Sequence, residues 1–291
     1  MIKLRFPLKD LTFLKTGGVC DILFEPESLQ DLQNFVISNN DKHIVILGAM
    51  SNVIIPDDGI RGAVIRLSNS AFQKIDFLYN NKVYVDSGVS VNSFIKICAK
   101  NNISCIEEMY AIPGTIGGAI SMNAGTPIFE ISEAILKIEC ISKKTGKIIV
   151  LPRDNIKFEY RKSNLPDDLI ITSCILKTKN LNRDVILKRT KEIFEKRKMS
   201  QPITSATCGS TFKNPDGSTY KAWELIKTAG CSGMCVGEAV LSDMHCNFII
   251  NKGGATSTDI LKLISLIKES VYKKHGIILE EEVRLIANYL L

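Results

Sequence analysis

An uncharged, glycine-rich stretch constrains the fold of this chain more than any other feature: YAIPGTIGGAISMNAGTPIF, from Tyr110 to Phe129. A membrane-spanning helix needs about twenty mostly apolar residues, and this stretch has that length. However, it contains four glycines, two prolines and an asparagine, which leave little hydrophobic transfer energy. We therefore predict a turn whose backbone lies close to a ligand, because glycines remove side chains and successive N–H groups can receive phosphate oxygens. A tight buried loop between domains is the open alternative.

A second stretch of the same kind, GAMSN at residues 48–52, follows an apolar strand predicted at 44–47. Neither stretch is a Walker loop, since the chain contains no GxxxxGK[ST]. Neither is followed by the long helix of a dinucleotide-binding βαβ unit. Two glycine-rich loops after apolar strands indicate a diphosphate cofactor that is held by loops instead of by one helix terminus.

Composition narrows the class of protein. A chain of 291 residues with 45% apolar and 23% charged residues suits an ordinary globular protein of two or three domains. The net charge of +6 comes from basic residues interleaved with acidic ones, which suits a small polyanion and argues against nucleic acid. Nine cysteines without a disulfide framework predict a reducing cytoplasm. The first residues lack a long apolar core, so we expect no signal peptide.

Four residues could be interpreted as a zinc set: Cys231, Cys235, His245 and Cys246. The last two are neighbours in MHCNFIIN, which we predict to be a strand. Successive side chains of a strand point to opposite faces, so this pair cannot bind one ion. We therefore predict no metal site and expect the cysteines to be small buried thiols.

Hydrophobic periodicity and turn residues predict an α+β fold. SLQDLQNFVISNN predicts a helix whose inward residues are Leu29, Leu32, Phe35 and Val36. VNSFIKICAKNN predicts a second helix. AFQKIDFLYNNKVYVDSG predicts a hairpin with an Asn-Asn turn, and ILKIECISKKTGKIIVL predicts another around Thr145-Gly146.

The character of the sequence changes at residue 183, where a charged amphipathic helix is predicted over 183–199. Its predicted inward residues are Ile186, Leu187, Thr190, Ile193 and Phe194. We place the domain boundary before this helix, so that residues 1–182, with two subdomains split near 70, precede a domain of residues 183–291. A last helix over 258–275 has Ile260, Leu263, Ile264, Ile267 and Val271 on one face. It ends in cations before Gly276, so His275 needs no catalytic explanation.

Six motifs occur in a characteristic order: GAMSN, IPGTIGGAISMNAG, FEYRKS, CGSTFKNP, HCNFIIN and GIILEEEV. With this order and spacing, nearly the whole chain resembles the UDP-N-acetylenolpyruvoylglucosamine reductases, the MurB family, in their compact subtype. The resemblance implies an N-terminal FAD-binding fold of the vanillyl-alcohol oxidase type, over 1–182. It implies a C-terminal α+β substrate-binding domain, over 183–291.

The resemblance also implies an activity. A family member uses noncovalent FAD, with NADPH as reductant, to reduce the enolpyruvyl group of UDP-N-acetylenolpyruvoylglucosamine to UDP-N-acetylmuramate. This oxidoreductase reaction supplies peptidoglycan precursors, on which cell wall biogenesis, cell shape and cell division depend. We expect a monomeric cytoplasmic flavoprotein that binds a sugar nucleotide and NADPH, with no nucleic acid, membrane span or metal.

The resemblance implies roles for particular residues. Arg161 would bind the substrate carboxylate, which a guanidinium suits because it is always charged and forked. Ser210 would donate the proton, and Glu282 would help to stabilise the enolic intermediate. The implied cofactor contacts are Gly48, Ala49, Met50, Ser51, Asn52, Pro113, Gly114, Thr115, Gly117, Gly118, Ser121, Asn123, Ala124 and Gly125. The implied substrate contacts are Tyr160, Lys198, Lys213 and Asn214, and Lys213 could also polarise Ser210.

Two positions depart from the family's pattern. The family usually has glycine where this chain has Met50 and Ala111. Two other functions therefore stay open: another flavin oxidoreductase of the same fold, and a flavin- or nucleotide-binding protein that has lost catalysis. The colour of the protein would separate these, together with its bleaching by NADPH and its recovery on adding the enolpyruvyl substrate.

We predict that the protein copurifies with noncovalent FAD. Covalent flavin in this group of folds commonly uses histidine, and the three histidines here, His43, His245 and His275, lie outside the glycine-rich loops. Acid precipitation should release all of the flavin into the supernatant. Flavin retained on the pellet, or no flavin absorbance after reconstitution with FAD, would contradict this prediction.

Overall fold

Helices and strands are mixed along the chain, as the predicted α+β class requires. The structure, a computed structural model, describes residues 1–286. The α-helices are α1 (Leu29–Ser38), α2 (Val91–Lys100), α3 (Ile116–Ser121), α4 (Arg183–Ser200), α5 (Ala222–Thr228) and α6 (Ser257–His275). Single 3-10 turns lie at Lys9–Leu11, Ser70–Phe72, Glu107–Met109, Ile131–Glu133 and Arg153–Asn155.

The strands are short, and most of them pair antiparallel. In chain order they are β1 (Ile2–Pro7), β2 (Val19–Phe24), β3 (Ile44–Ile46), β4 (Val53–Ile54), β5 (Ile60–Ile65), β6 (Ile75–Leu78), β7 (Lys82–Asp86), β8 (Ile103–Ser104), β9 (Gly125–Thr126), β10 (Phe129–Glu130), β11 (Ile135–Ser142), β12 (Ile148–Pro152), β13 (Phe158–Glu159), β14 (Lys162–Ser163), β15 (Leu169–Lys177), β16 (Lys179–Asn180), β17 (Thr207–Ser210), β18 (Cys235–Val236), β19 (Ala239–Leu241), β20 (Phe248–Asn251) and β21 (Arg284–Leu285).

The chain forms two compact units that do not follow its order. The first unit comprises residues 1–4, 22–49 and 62–196, and the second comprises 5–21, 50–61 and 197–291. This grouping differs from the division at 182 and 183 that we predicted from the sequence. Most of α4 belongs to the first unit, and two N-terminal segments group with the C-terminal part. Strand pairs and buried side chains far apart in sequence produce this grouping.

The first unit is built on a five-stranded antiparallel sheet with the strand order β12-β11-β15-β7-β6. One core cluster lies against it and includes Val83 and Val85 from β7, with Phe94 and Ile95 from α2. A second cluster includes Leu32 and Val36 of α1, as the helical periodicity predicted. The predicted Asn-Asn turn joins β6 to β7, with positive φ at Asn80 (60°) and Asn81 (55°). Two consecutive left-handed residues match the twist of the flanking strands.

The second unit packs α5 and α6 with a four-stranded sheet of order β17-β20-β19-β18. The predicted inward residues of α6 are all buried: Ile260, Leu263, Ile264, Ile267 and Val271. Gly276 ends the helix in the left-handed conformation, as its sequence predicted. Leu14 and Ile54, from the N-terminal segments, are buried in the same core. In addition, β4 pairs in parallel with β21.

Two predictions about local structure were wrong. Leu187 and Phe194 of α4 are exposed, by 40% and 37%, although we predicted both to face inward. This helix carries few apolar residues; it buries only Ile186 and Thr190, and its Arg189 forms an ion pair with the buried Glu107 at 3.5 Å. The predicted strand MHCNFIIN begins only at β20, so His245 and Cys246 lie in a turn before it. The strand argument against metal binding by this pair therefore fails.

The surroundings of the cysteines and of the glycine-rich stretch bear on two possibilities that the sequence raised, a metal site and a membrane-spanning helix. All nine cysteines are free thiols, and seven of them are buried. In residues 1–286, no group of three or more His, Cys, Asp or Glu side chains could hold a metal ion. Across the same residues, no helix is both long enough and apolar enough to cross a membrane. The stretch from Tyr110 to Phe129 forms turns around the short helix α3.

We predict that Asp57→Asn destabilises the second unit at neutral pH. The Asp57 carboxylate accepts hydrogen bonds from the N–H groups of Ser257 (2.7 Å) and Thr258 (2.9 Å) at the start of α6. Burial opposes ionisation of Asp57, but these hydrogen bonds outweigh it and lower its pKa. An acidic group at a helix start typically contributes about 1 kcal/mol. Denaturant unfolding of both proteins should show this difference at pH 7.

The pH dependence gives that prediction its internal control. Because the folded-state pKa is lowered, the contribution is present above the unfolded value of about 4 and is lost as the pH falls through the folded pKa. The two unfolding free energies should therefore converge in acid. A difference that persists unchanged at low pH would show that Asp57 acts through packing and not through its charge.

Candidate active site

The glycine-rich stretch is fixed by backbone hydrogen bonds to a turn before α2. The N–H of Val91 donates to the carbonyl of Gly114 (3.0 Å), and the N–H of Gly117 donates to that of Ser87 (2.8 Å). Thr115 caps α3, because its hydroxyl accepts the N–H of Gly118 at 3.2 Å. The predicted ligand-binding turn is therefore a rigid element of the first unit.

Two glycines of the predicted cofactor site leave no room for a side chain. A Cβ atom at Gly48 would lie 2.5 Å from the hydroxyl oxygen of Thr115, and one at Gly117 would lie 2.8 Å from the Cβ of Ser87. Both separations are shorter than real Cβ contacts. The contact between Gly48 and Thr115 brings the start of GAMSN against the glycine-rich stretch from Tyr110 to Phe129.

The same place fits a bound diphosphate cofactor. A Cβ atom at Gly118 would meet only the hydroxyl of Thr115, at 3.3 Å. Packing therefore does not exclude a side chain at this position, whereas close approach of a ligand to the backbone would. The Ser87 hydroxyl, beside Gly117, is buried and makes no hydrogen bond within residues 1–286. An unsatisfied buried hydroxyl calls for a polar partner.

Both departures from the family's pattern adopt a backbone conformation that favours glycine. Met50 has a φ of 54° and Ala111 has a φ of 66°. The N–H of Ala111 is bonded to the side chain of Asn92 (2.8 Å), and the carbonyl of Met50 accepts the N–H of Phe13 (3.2 Å). The chain thus keeps these left-handed turns without glycine, at a strain of about 1 kcal/mol each.

Arg161 lies in the first unit, in the turn between β13 and β14, and is also left-handed, with a φ of 55°. Its guanidinium donates to the carbonyl of Gly125 (3.0 Å) and lies 3.6 Å from the carboxylate of Glu130. It also covers the ring of Tyr160, 4.8 Å from the ring centroid. The side chain is only 13% exposed.

Asn123 joins the glycine-rich stretch to the Arg161 turn. Its buried side-chain amide donates to the Glu130 carboxylate (2.7 Å) and to the carbonyl of Glu159 (3.0 Å), and its oxygen accepts the N–H of Ser132 (3.3 Å). The cofactor contact of Asn123 stays a prediction, and its side chain is bonded within the protein. Ser121, another predicted cofactor contact, offers its carbonyl to the hydroxyl of Ser163 (2.8 Å).

The predicted Ser210 and Glu282 come together in the second unit. Ser210 ends β17, where it pairs with Phe248 of β20. The N–H of Glu282 donates to the carbonyl of Thr211 (2.8 Å), next to Ser210. Asn52, from GAMSN, donates to the carbonyl of Glu282 (3.1 Å). Hydrogen bonds therefore link three predicted elements: the segment of Ser210, the segment of Glu282 and the loop GAMSN.

The three glutamates of LEEEV have different surroundings. Glu280 forms an ion pair with Lys213, and Glu281 forms one with Lys268 at 2.8 Å. The backbone of Glu282 is held between Asn52 and Thr211. The main chains of Glu280 and Glu281 also pair with this segment, at Lys213 and Phe212, but Glu282 is bonded to Thr211, the residue next to Ser210. The Lys213 ammonium, which we considered as a group that polarises Ser210, is bonded to Glu280.

The other predicted substrate residues differ in their partners and exposure. Asn214 accepts the first helical N–H of α5, that of Ala222, at 3.0 Å. Lys198 is exposed near the end of α4. Tyr160 is 40% exposed beside Arg161. Cys208 lies two residues before Ser210. Burial raises the pKa of its thiol to about 12, so this thiol stays protonated.

Sequence reasoning missed two residues of the site. Glu130 only marked the end of the uncharged stretch, and Ser87 had no motif of its own. The structure gives Glu130 two charged or polar partners and leaves the buried Ser87 hydroxyl next to a glycine that packs against it. These contacts of Glu130 and Ser87 join residues that are distant in the sequence, so no local sequence pattern predicts them.

Comparison with known proteins bears on the same regions. The model of an FAD binding domain matches residues 20–152, and that of the UDP-N-acetylenolpyruvoylglucosamine reductase C-terminal domain matches residues 201–286. The UDP-N-acetylenolpyruvoylglucosamine reductase of Rickettsia akari (strain Hartford) is 41% identical, over 98% of this chain and 95% of its own. That of Rickettsia canadensis (strain McKiel) is 40% identical, over 99% and 96%.

A solved structure agrees with these matches. The UDP-N-acetylenolpyruvylglucosamine reductase (MurB) of Thermus caldophilus superimposes with a TM-score of 0.83 and 33% identity, over 99% of this chain and 98% of its own. The predicted α+β class and the predicted FAD-binding domain in the N-terminal part are thereby confirmed.

Substitution by glycine should have opposite effects at the two left-handed positions. Ala111→Gly should stabilise the protein by about 0.5–1 kcal/mol, because it relieves a positive φ and removes only one methyl group. Met50→Gly relieves the same strain but removes a buried side chain, which costs about 2–5 kcal/mol, so it should be destabilising. The midpoint of denaturant unfolding would measure both changes.

Cofactor titration separates strain from a role in binding. If the Met50 side chain lies in the cofactor groove, Met50→Gly should also change the dissociation constant of FAD for the apoprotein. Ala111→Gly is the matched control for a change of backbone strain alone. An unchanged dissociation constant in Met50→Gly would mean that the side chain points away from the cofactor.

Proposed function

The chain belongs to the UDP-N-acetylenolpyruvoylglucosamine reductase family, and from that premise we propose how its own residues carry out the family's reaction. That reaction is the NADPH-driven, FAD-dependent reduction of UDP-N-acetylenolpyruvoylglucosamine to UDP-N-acetylmuramate, a step of peptidoglycan precursor synthesis. The glycine-rich loops around Gly48, Gly117 and Gly118 would hold FAD, which would supply hydride transfer from NADPH to the methylene carbon of the enolpyruvyl group. The residues of the chain then have to stabilise the negative charge that develops on the substrate and deliver one proton to carbon.

Arg161 is the residue we assign to the substrate carboxylate. Hydride addition to the methylene carbon leaves negative charge on the adjacent carbon and its carboxylate, so a fixed cation there stabilises the transition state more than the ground state. A guanidinium suits this task because it is always charged and offers two parallel N–H donors. Its low exposure, of 13%, and its contact with Gly125 support this assignment, since both limit its motion.

Glu282 and Ser210 are the residues we assign to the enolic intermediate and its protonation. An anionic carboxylate would repel the developing charge, so Glu282 helps only if its carboxyl group is protonated and donates a hydrogen bond. The Ser210 hydroxyl then delivers one proton to the carbon next to the carboxylate, which completes the saturated lactyl ether. The backbone hydrogen bond between Glu282 and Thr211, at 2.8 Å, is the observation that carries this pairing.

Tyr160, Lys198, Lys213 and Asn214 are the candidates for contacts with the UDP-sugar. We place the reaction in the cytoplasm, with a monomer as the active species. Nine free cysteines support a reducing compartment. The loss-of-function alternative is less well supported, because Met50 and Ala111 retain the left-handed backbone that glycine would adopt.

Ser210→Ala should separate the two half-reactions. The serine is assigned to protonation after hydride arrival, so it has no part in flavin reduction by NADPH. Stopped-flow absorbance should show near-normal bleaching by NADPH. Recovery of colour with the enolpyruvyl substrate should be slowed at least about a hundredfold, the lower end of the range for a general acid.

Two comparisons sharpen this test. Arg161 and Glu282 variants should also spare the NADPH step, since no enolate forms there. Ser270→Ala, on α6, is a matched control that should leave both steps unchanged. Equal slowing of both steps in Ser210→Ala would indicate damage to the flavin site and would remove Ser210 from the acid role.

A further inference from the structure

The guanidinium of Arg161 is restrained on three sides by residues of the first unit. The Gly125 carbonyl accepts its N–H at 3.0 Å, the Glu130 carboxylate lies 3.6 Å away, and the Tyr160 ring lies against it. Gly125 and Glu130 face each other directly in the β9–β10 pair. One strand pair therefore supplies both the neutral acceptor and the charged one, at a fixed spacing.

Glu130 is itself held in place. One carboxylate oxygen accepts the Asn123 amide at 2.7 Å, and the other faces Arg161. Asn123 is fully buried and is bonded to the backbone of Glu159 and Ser132 as well. The carboxylate direction is thus fixed by a side chain that cannot move without breaking three hydrogen bonds.

The distance between the two charges is informative. A direct charge-assisted hydrogen bond has a donor–acceptor distance of about 2.7–2.9 Å, and the Glu130–Arg161 pair is longer, at 3.6 Å. Glu130 therefore attracts and orients the guanidinium without forming the bidentate pair that Arg makes with an ideal carboxylate. An incoming carboxylate with bidentate geometry can compete for the guanidinium.

We propose that Glu130 is a positioning residue for the reduction: it holds the Arg161 guanidinium in the orientation that meets the substrate carboxylate. This inference rests on the proposed function, in which Arg161 binds that carboxylate. In this proposal Glu130 acts on the substrate through Arg161, while its side chain also contacts Asn123 and caps the 3-10 turn at Ile131–Glu133. The left-handed backbone at Arg161 places the side chain over β9 and β10, where this restraint operates.

Glu130→Gln tests the proposal, because glutamine keeps the size of the side chain and an oxygen for Asn123 but removes the charge. Flavin reduction by NADPH should stay within about twofold of the wild-type rate. Reoxidation by the enolpyruvyl substrate should be slowed about 10- to 100-fold, the scale expected when a catalytic group is misplaced by up to about 1 Å. The dissociation constant of the substrate, from calorimetry without NADPH, should change less than the rate does.

The matched control is Glu159→Gln. Glu159 lies two residues before Arg161, is exposed, and pairs with Lys157 at 2.6 Å. This variant should leave both half-reactions unchanged. Glu130→Asp provides a second variant that keeps the charge should the glutamine variant fold poorly, and it should lose less of the reoxidation rate. An aspartate variant slower than the glutamine variant, or a glutamine variant as fast as Glu159→Gln, would overturn the proposal.

A double-mutant cycle distinguishes action through Arg161 from general structural damage. Lysine cannot reproduce the forked contacts of a guanidinium, so Arg161→Lys should be slow by itself. Adding Glu130→Gln to Arg161→Lys should then slow reoxidation by less than about twofold, because coupled residues are not additive. Fully additive slowing would overturn the inference. Failure of the wild-type protein to reoxidise with the substrate would instead overturn the proposed function.

Discussion

The close backbone approach at the glycine-rich stretch is the constraint on which the rest of the site depends. No side chain fits at Gly48 or Gly117, since their Cβ atoms would lie 2.5 Å and 2.8 Å from Thr115 and Ser87. Hydrogen bonds to the turn before α2 fix the same segment. Because the stretch is fixed at one end, Asn123 and Gly125 at its other end can orient the Arg161 turn.

Left-handed residues mark the same region and show what the fold tolerates. Met50, Ala111, Asn123 and Arg161 all have positive φ; three of them lie in the motifs that carry the family resemblance, and Ala111 directly precedes one of those motifs. At about 1 kcal/mol each, their strain amounts to a few kcal/mol. That is a sizeable fraction of a typical folding stability of about 5–15 kcal/mol, so surrounding contacts must compensate for it. The bonds of Ala111 to Asn92 and of Met50 to Phe13 are such contacts.

Local patterns predicted local structure well. Helices α1, α2 and α6 and the two hairpins were predicted because periodicity and turn residues act over a few neighbours. The inward faces of α4 were predicted less well, since Leu187 and Phe194 are exposed on a helix with little apolar surface. The grouping of residues 5–21 and 50–61 with the C-terminal part had no local signal. It arises from partners about 200 residues away, such as β4 with β21.

The candidate site, too, was only partly predictable from the sequence. Motif order located Arg161, Ser210 and Glu282 through a resemblance, and their roles stay predictions that the half-reaction measurements test. The residues that support them were not predictable, because Glu130 and Asn123 gain their meaning only from the pairing of β9 with β10 and the turn at Arg161. From the sequence alone, a glutamate at the end of an uncharged stretch cannot be distinguished from a glutamate that is simply exposed to solvent.

The loop GAMSN is divided between the two compact units, since residues 48–49 belong to the first unit and residues 50–52 to the second. Gly48 packs against Thr115 in the first unit, and Asn52 holds the carbonyl of Glu282 in the second. Met50, between them, is buried and left-handed. Within the second unit, a change in backbone direction at Met50 therefore shifts Asn52, two residues later, and with it the hydrogen bond to the carbonyl of Glu282. Because Met50 keeps this left-handed turn with a long side chain, glycine is not the only residue that the turn accepts.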